Sequence, residues 1–320
     1  MFSALLALAL HAQIAVTTDQ GEGIFPLSTA GGKATIVCDD NDAEVVMTAA
    51  QCLSADVEAV TGRSLNVDNS VASGTYPIIA GTLGQSELVD ELASAGKIDA
   101  SAISDKWETY GLQIVENPLD GVEKALVVFG STPRGTAYGL FEISRMIGVS
   151  PYIWWADVAP AKKDNLYIVG EKTISKEPSV KYRGIFINDE DFALQPWAAK
   201  GLDKSYNNIG PNTYAKVMEL LLRLRANTLW PAMHACSRAF WDNKDNLPVA
   251  KKYDIMLGSS HCEQMLRDNE WEWRRAPWNG TNDDWNYVTN KAKIQQYWEE
   301  RVAESVGYDA MYTVGMRGVP

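Results

Sequence analysis

From residue 34 to about residue 150, short apolar runs alternate with longer segments whose apolar positions recur every three or four residues. "ATIVC" (34–38) has the length and β-branched content of a strand. The segment after it places Val45, Val46, Ala49, Leu53, Val57 and Val60 on one helical stripe, which Gly62 stops. "YPIIAG" predicts a second strand, and "SELVDELASAG" a helix capped by Ser86 and ended by Gly96. "YGLQIVE" and "KALVVFG" read as strands and "RGTAYGLFEISRMIG" as a helix. Strands alternating with helices predict a compact α/β domain over residues 16–150. The glycines around Gly130 and Gly135 do not make a phosphate loop, because no Walker lysine follows and no G-x-G-x-x-G opens a helix.

Residues 151–181 lose this periodicity and turn rich in proline, lysine and tryptophan, the pattern of a connector. Strand and helix units then return at wider spacing. "YRGIFIN" is a strand, and "PNTYAKVMELLLRLRAN" is a helix with Pro211 near its start and Val217, Leu220, Leu221 and Leu224 on its buried face. "TLWPAM" and "YDIMLGS" are strands, 287–306 is a helix, and "AMYTVGMRG" is a further strand. The fold class expected is therefore α/β: an N-terminal α/β domain followed, over residues 182–320, by an incomplete (β/α)8 TIM-type barrel. Four of the eight strands that closure needs are legible.

The apolar run "YRGIFINDED" ends on four polar side chains. If the four strands are parallel neighbours, Asp189 and Glu190, Met233 and His234, His261 and Glu263, and Arg317 all lie at strand carboxyl ends, the face on which barrels carry their sites. A carboxylate can serve as acid or base, an imidazole can pass a proton near neutral pH, and an arginine can clamp an anion with two parallel bonds. Each has a plainer reading: "NDED" as a solvated turn, His261 as a hydrogen-bonded core histidine, Glu263 as an ion pair with Arg267, and Arg317 as a buried ion-pair partner.

Bulk properties narrow the function further. A formal charge of -12 over 320 residues argues against a polyanionic partner, so no nucleic-acid partner is expected. The apolar stretch of residues 5–10, with small residues after it, reads as a signal peptide over residues 1–15, against a competing reading as a buried segment, since the stretch lacks lysine and arginine. No later stretch reaches the ~20 apolar residues of a membrane span. A secreted, extracellular protein is expected, and the sequon at Asn279 is compatible with export. The four cysteines (Cys38, Cys52, Cys236 and Cys262) are too widely spaced for a disulfide scaffold. His234, Cys236, His261, Cys262 and Glu263 are potential zinc ligands, but the "HCE" stretch lacks a following P-C-x-x-C, so neither metal nor cofactor is expected. Most of the 11 tryptophans follow residue 150, and the cluster Trp271, Trp273, Trp278 and Trp285 reads as a loop over the barrel mouth that shapes a polysaccharide cleft, with core packing as the alternative.

The blocks "GSTPRGTAYGLFEISRMIGVSPYIWWADV", "YRGIFINDED", "RLRANTLWPAM", "YDIMLGSSHCEQM" and "YTVGMRG" together resemble, in order, those of the glycoside hydrolase family 115 α-glucuronidases. The resemblance runs from about residue 35 to the C-terminus. It implies a secreted, inverting, metal-independent enzyme that removes α-1,2-linked (4-O-methyl)glucuronic acid from xylan, so that glucuronoxylan or its oligosaccharides are the expected partners, with a homodimer common in the family. By position, Asp189 matches the acidic residue after the first barrel strand and Arg317 the arginine expected to hold the uronate. His261 and Glu263 match the S-H-H-E-P-M block, and Asn188 and Glu190 flank the acidic position. The catalytic expectation therefore falls on Asp189 and Glu190, and substrate binding on Asn188, His261, Glu263 and Arg317. Cys262 stands where the family has a second histidine and Gln264 where it has proline. The resemblance places the general acid on a later strand, so the chain reads as an N-terminal portion, with a non-catalytic or degenerate carbohydrate-binding protein as the alternative. An inverting pair stands roughly 6.5–9.5 Å apart.

Overall fold

The computed structural model describes residues 13–188, 190–261 and 263–315. Most of the expected signal peptide, together with Asp189, Cys262 and Arg317, lies outside the described residues. The chain divides into two compact units, Met1–Ser179 and Val180–Pro320.

The first unit opens with β1 (Ala15–Thr17), β2 (Phe25–Thr29), β3 (Gly32–Lys33), β4 (Thr35–Cys38) and α1 (Glu44–Thr61). It continues with β5 (Asn66–Asp68), β6 (Pro77–Thr82), α2 (Glu87–Ser94), β7 (Tyr110–Glu116) and β8 (Lys124–Gly130). It closes with α3 (Pro133–Ile147), β9 (Leu166–Val169) and β10 (Lys172–Ile174). Its main sheet has the order β10-β7-β8-β6-β4-β5, with β8, β6, β4 and β5 parallel, β7 antiparallel to β8, and β10 antiparallel to β7. Every residue of β6 and β8 is buried, as expected for parallel strands covered on both faces. Ile79, Val127 and Phe129 join Val89 and Leu92 of α2 in one cluster. On the opposite face, Val128 lies against Gly139 of α3. The predicted stripe of α1 is buried throughout, and Gly62 ends the helix at φ 77° with its N–H on the Glu58 carbonyl, a conformation that glycine adopts without strain. Ser86 caps α2 through the Val89 N–H.

The second unit contains β11 (Gly184–Phe186), α4 (Leu194–Lys200), α5 (Pro211–Arg223), β12 (Thr228–Trp230) and α6 (Asn246–Lys252). β13 (Met256–Leu257), α7 (Trp271–Arg274) and α8 (Lys291–Ser305) follow. β11, β12 and β13 form a parallel sheet in chain order, with Gly184 opposite Thr228 and Thr228 opposite Met256. Gly184 is required there, since a Cβ would stand 1.9 Å from the Thr228 carbonyl oxygen. The fourth expected strand reduces, among the described residues, to parallel bridges of Ala310 to Leu257 and Thr313 to Gln264. No closed barrel is present among the described residues, and Ile185 and Phe186 of β11 are about 40% exposed rather than enclosed.

Two packing expectations are corrected. On α5 the buried positions include Val217, Met218, Leu221 and Leu222, whereas Leu224 is 45% exposed because the helix has already ended at Arg223. The tryptophan cluster is core rather than an open cleft. Trp273 is fully buried, edge-on to Trp285 and Tyr297 at 5.0 and 5.2 Å, and stacked over Trp278. Ile294 and Tyr297, three positions apart on α8, complete this cluster. Arg267 places its guanidinium 4.6 Å from the Tyr297 ring centre, so the ring faces are spent inside the unit. Trp271 alone of the four is largely exposed. Asp203, itself buried, accepts from the N–H groups of Gly210, Asn212 and Thr213 and from the Thr213 hydroxyl, satisfying the otherwise open amides at the start of α5.

Candidate functional site

The carboxyl ends of β11 and β12 are tied by one carboxylate. Glu190, 1% exposed, accepts at Oε1 from the N–H groups of Met233 (2.8 Å) and His234 (2.7 Å) and from the Ser237 hydroxyl (2.8 Å). Three donors converge because residues 233–237 turn tightly after β12, which leaves their amides without ladder partners. The anionic acceptor makes these charge-assisted bonds. Glu190 Oε2 is buried without a hydrogen-bond partner among the described residues, 3.7 Å from His234 Nδ1.

Above this anchor, the His234 ring lies between two side chains of the β11 end. Nδ1 bonds the Asp191 carboxylate, and Nε2 is 3.1 Å from Asn188 Oδ1. Since a carboxylate only accepts, Nδ1 carries the proton of that pair. Asp191 is held below the usual carboxylate range by its bond to His234 and then by the Cys236 thiol, which also donates to it. Burial, followed by the hydrogen bond to Asp191 and then its charge, pushes the Cys236 thiol up to about 12. Such a thiol stays protonated near neutral pH and is not a nucleophile or a ready zinc ligand there.

The end of β13 joins through sulfur and backbone contacts. The Ser260 hydroxyl lies 2.7 Å from Met233 Sδ, and the Ser260 N–H is 3.4 Å from Glu263 Oε2. Glu263 is buried, and desolvation, reinforced by the Asp268 charge, pushes its carboxyl well above the usual range. Burial of this kind favours the neutral carboxyl over the anion. The plainer reading of Glu263 as an ion pair with Arg267 is not what forms: Arg267 bonds Glu272, which also takes Arg301, both within buried pairs. His261 is exposed, and its carbonyl accepts from Gln264 Nε2.

Of the six residues proposed from sequence, Asn188 and Glu190 come together, and Glu263 is linked to them through Ser260 and Met233. His261 lies on the exposed side of the turn after β13, while Asp189 and Arg317 are outside the described residues. Asp191, His234 and Ser237 complete the constellation but were not chosen. Asp191 extends the same acidic run by one position, and His234 follows a strand end, so both carried a positional signal. Ser237 carried none, because its hydroxyl matters only once the turn closes over Glu190. Among the described residues, Glu190, Asp191 and His234 also offer three ligand atoms within 4.8 Å of one another.

No curated protein sequence matches the chain. A solved structure described as a novel family GH115 4-O-methyl-α-glucuronidase with specificity for decorated arabinogalactans aligns with a TM-score of 0.79 and 42% identity, over 92% of this chain and 36% of its own. The structure of CpGH84D aligns with a TM-score of 0.47 and 10% identity, over 93% of this chain and 42% of its own. A Streptomyces plicatus β-hexosaminidase mutant with product GlcNAc aligns with a TM-score of 0.44 and 11% identity, over 78% of this chain and 44% of its own. The chain thus spans about a third of the length of the first of these relatives. The family model described as Glycosyl hydrolase family 115 matches residues 175–320, the span that holds the whole constellation around Glu190. On that match and on the 42% identity extending over nearly all of its length, the chain belongs to glycosyl hydrolase family 115.

Proposed function

We propose that this chain serves a glycoside hydrolase acting on polysaccharides decorated with glucuronic acid, removing α-1,2-linked (4-O-methyl)glucuronic acid with inversion and with glucuronoxylan as substrate. The observation that carries the reading is the relative 42% identical over 92% of the chain, itself described as a 4-O-methyl-α-glucuronidase. The parallel order of β11, β12 and β13, with helices in the crossovers between them, supports a TIM-type barrel whose strand ends form the sugar site.

In this reading Arg317 clamps the uronate and Asp189 contributes to acid/base work. Asn188 and His261 bind hydroxyls, and the buried Glu263 lies behind the site. Glu190 is better described as the anchor of the 233–237 turn than as an acid or base, because three donors already occupy Oε1. The enzyme works outside the cell, in agreement with the leader-like N-terminus.

The test is incubation of the purified protein, extended to a full barrel, with glucuronoxylan and, separately, with an arabinogalactan bearing 4-O-methylglucuronate. Freed uronic acid is separated by anion-exchange chromatography and its first-formed anomer read by proton NMR. Release from glucuronoxylan as the β-anomer is expected. Release from arabinogalactan alone overturns the substrate, the α-anomer overturns the stereochemistry, and binding to either polymer without release overturns the activity.

A further inference from the structure

The trio Glu190, Asp191 and His234 has features that the anchoring of the turn does not use. Among the described residues, Glu190 Oε2 is a buried carboxylate oxygen with no hydrogen-bond partner, although Oε1 of the same group has three. It faces His234 Nδ1 at 3.7 Å, and Asp191 Oδ2 bonds that same nitrogen. Leaving a buried carboxylate oxygen unpaired is costly, so a group that satisfies it is favoured.

We propose that Glu190 Oε2, Asp191 Oδ2 and His234 Nδ1 bind one divalent transition cation, of the Zn2+ or Mn2+ class, that clamps the end of β11 to the turn after β12. The three atoms lie within 4.8 Å of one another, and ligand bonds of about 2.0–2.2 Å to a common centre need only small side-chain movements. The cation takes the place of the proton that Nδ1 shares with Asp191.

The surroundings are those of ligands already oriented. A ligating histidine ordinarily donates its second ring N–H to an oxygen, and here Nε2 meets Asn188 Oδ1 at 3.1 Å. A ligating carboxylate is ordinarily held by hydrogen bonds of its own, and Glu190 Oε1 has three. Two carboxylates and one imidazole suit Zn2+ or Mn2+, whereas Ca2+ seeks six to eight oxygen ligands. Asp191 and His234 are partly exposed, which gives the ion an entry path and leaves its outer positions to water. The cation has a positional role and carries no step of the proposed hydrolysis.

The test uses the full chain stripped with chelator and titrated by calorimetry with Zn2+, Mn2+ and Ca2+ alone, with elemental analysis after gel filtration and thermal melting with and without ion. One Zn2+ or Mn2+ per chain and a raised melting temperature are expected, with Ca2+ at least about tenfold weaker. Asp191→Asn and His234→Ala should each weaken binding about tenfold or more and abolish the thermal shift. Asp191 is surface-exposed, so its variant should fold even where Glu190→Gln does not. Absence of binding at millimolar ion, or equal binding by both variants, overturns the proposal and leaves the glucuronidase reading untouched, because that reading is tested by uronic acid release.

Discussion

Replacing Glu190 by alanine and by glutamine separates an anchoring carboxylate from a reacting one. The alanine variant removes the acceptor of the Met233 and His234 N–H groups, while the Ser237 hydroxyl, which also reaches the His234 carbonyl at 3.0 Å, keeps a partner. Each donor left unpaired costs about 1–3 kcal/mol, so the two amides together give a total of about 4 kcal/mol. The glutamine variant keeps a carbonyl oxygen in the Oε1 position and loses the charge. Bonds to an ionised acceptor are roughly twice as strong as neutral ones, so its cost should be about 1–2 kcal/mol. Urea unfolding of the full chain, followed by tryptophan fluorescence, reports chiefly on the second unit, where the buried cluster of Trp273 and Trp285 lies. With a slope of about 2 kcal/mol/M, Glu190→Ala should move the midpoint of that transition down by about 2 M and Glu190→Gln by under 1 M. Equal midpoints for the two variants, or an alanine variant within 0.5 M of the parent, would refute the anchoring role.

Three further outcomes follow from named contacts. Asp203→Ala leaves the start of α5 uncapped and should cost about 2–4 kcal/mol in the same urea experiment, with Asp203→Asn recovering part of it. Burial raises the Asp268 carboxyl to about 7, above its unfolded value near 3.8, so its stabilising share is complete below pH 3.8 and is lost as pH rises toward and through 7. Unfolding free energy should therefore fall between pH 4 and 7 in the parent, and Asp268→Asn should flatten that fall and be the more stable protein at pH 8. Cys236, held near 12 by burial and by Asp191, should react slowly with iodoacetamide at pH 8, and Asp191→Asn should speed its labelling as read by peptide mass spectrometry.

The first unit shows how far local pattern reaches. The stripe Val45 to Val60 became the buried face of α1, with Gly62 at its left-handed end, and Ser86 became the cap of α2. In these elements the apolar spacing and the capping residue act within a few positions of each other, so the chain alone contains the relevant physics. The two apolar strands β6 and β8 were legible for the same reason, since continuous apolar runs can be stable only where both faces are covered.

The second unit shows what remains hidden. Trp273, Trp278 and Trp285, set among charges and turn residues, have the composition of a surface loop, yet Arg267 and α8 fold them into a core of their own. Glu263 has a plausible helical partner in Arg267, but that guanidinium is taken by Glu272, which leaves Glu263 buried with its carboxyl pushed well above the usual range. The run "NDED" announced by itself that polar groups gather after β11, because an apolar strand must end where solvent or a site begins. Which carboxylate does what depended on a residue 44 positions on: the backbone of His234 turns its N–H onto Glu190, while its ring reaches Asp191 and Asn188. Sequence determined the periodic elements and the polarity of the strand ends, because those follow from neighbours along the chain. Tertiary structure decided the anchor, the ring between two oxygens and the buried unpaired carboxylate oxygen, because each exists only where separate turns meet and exclude water.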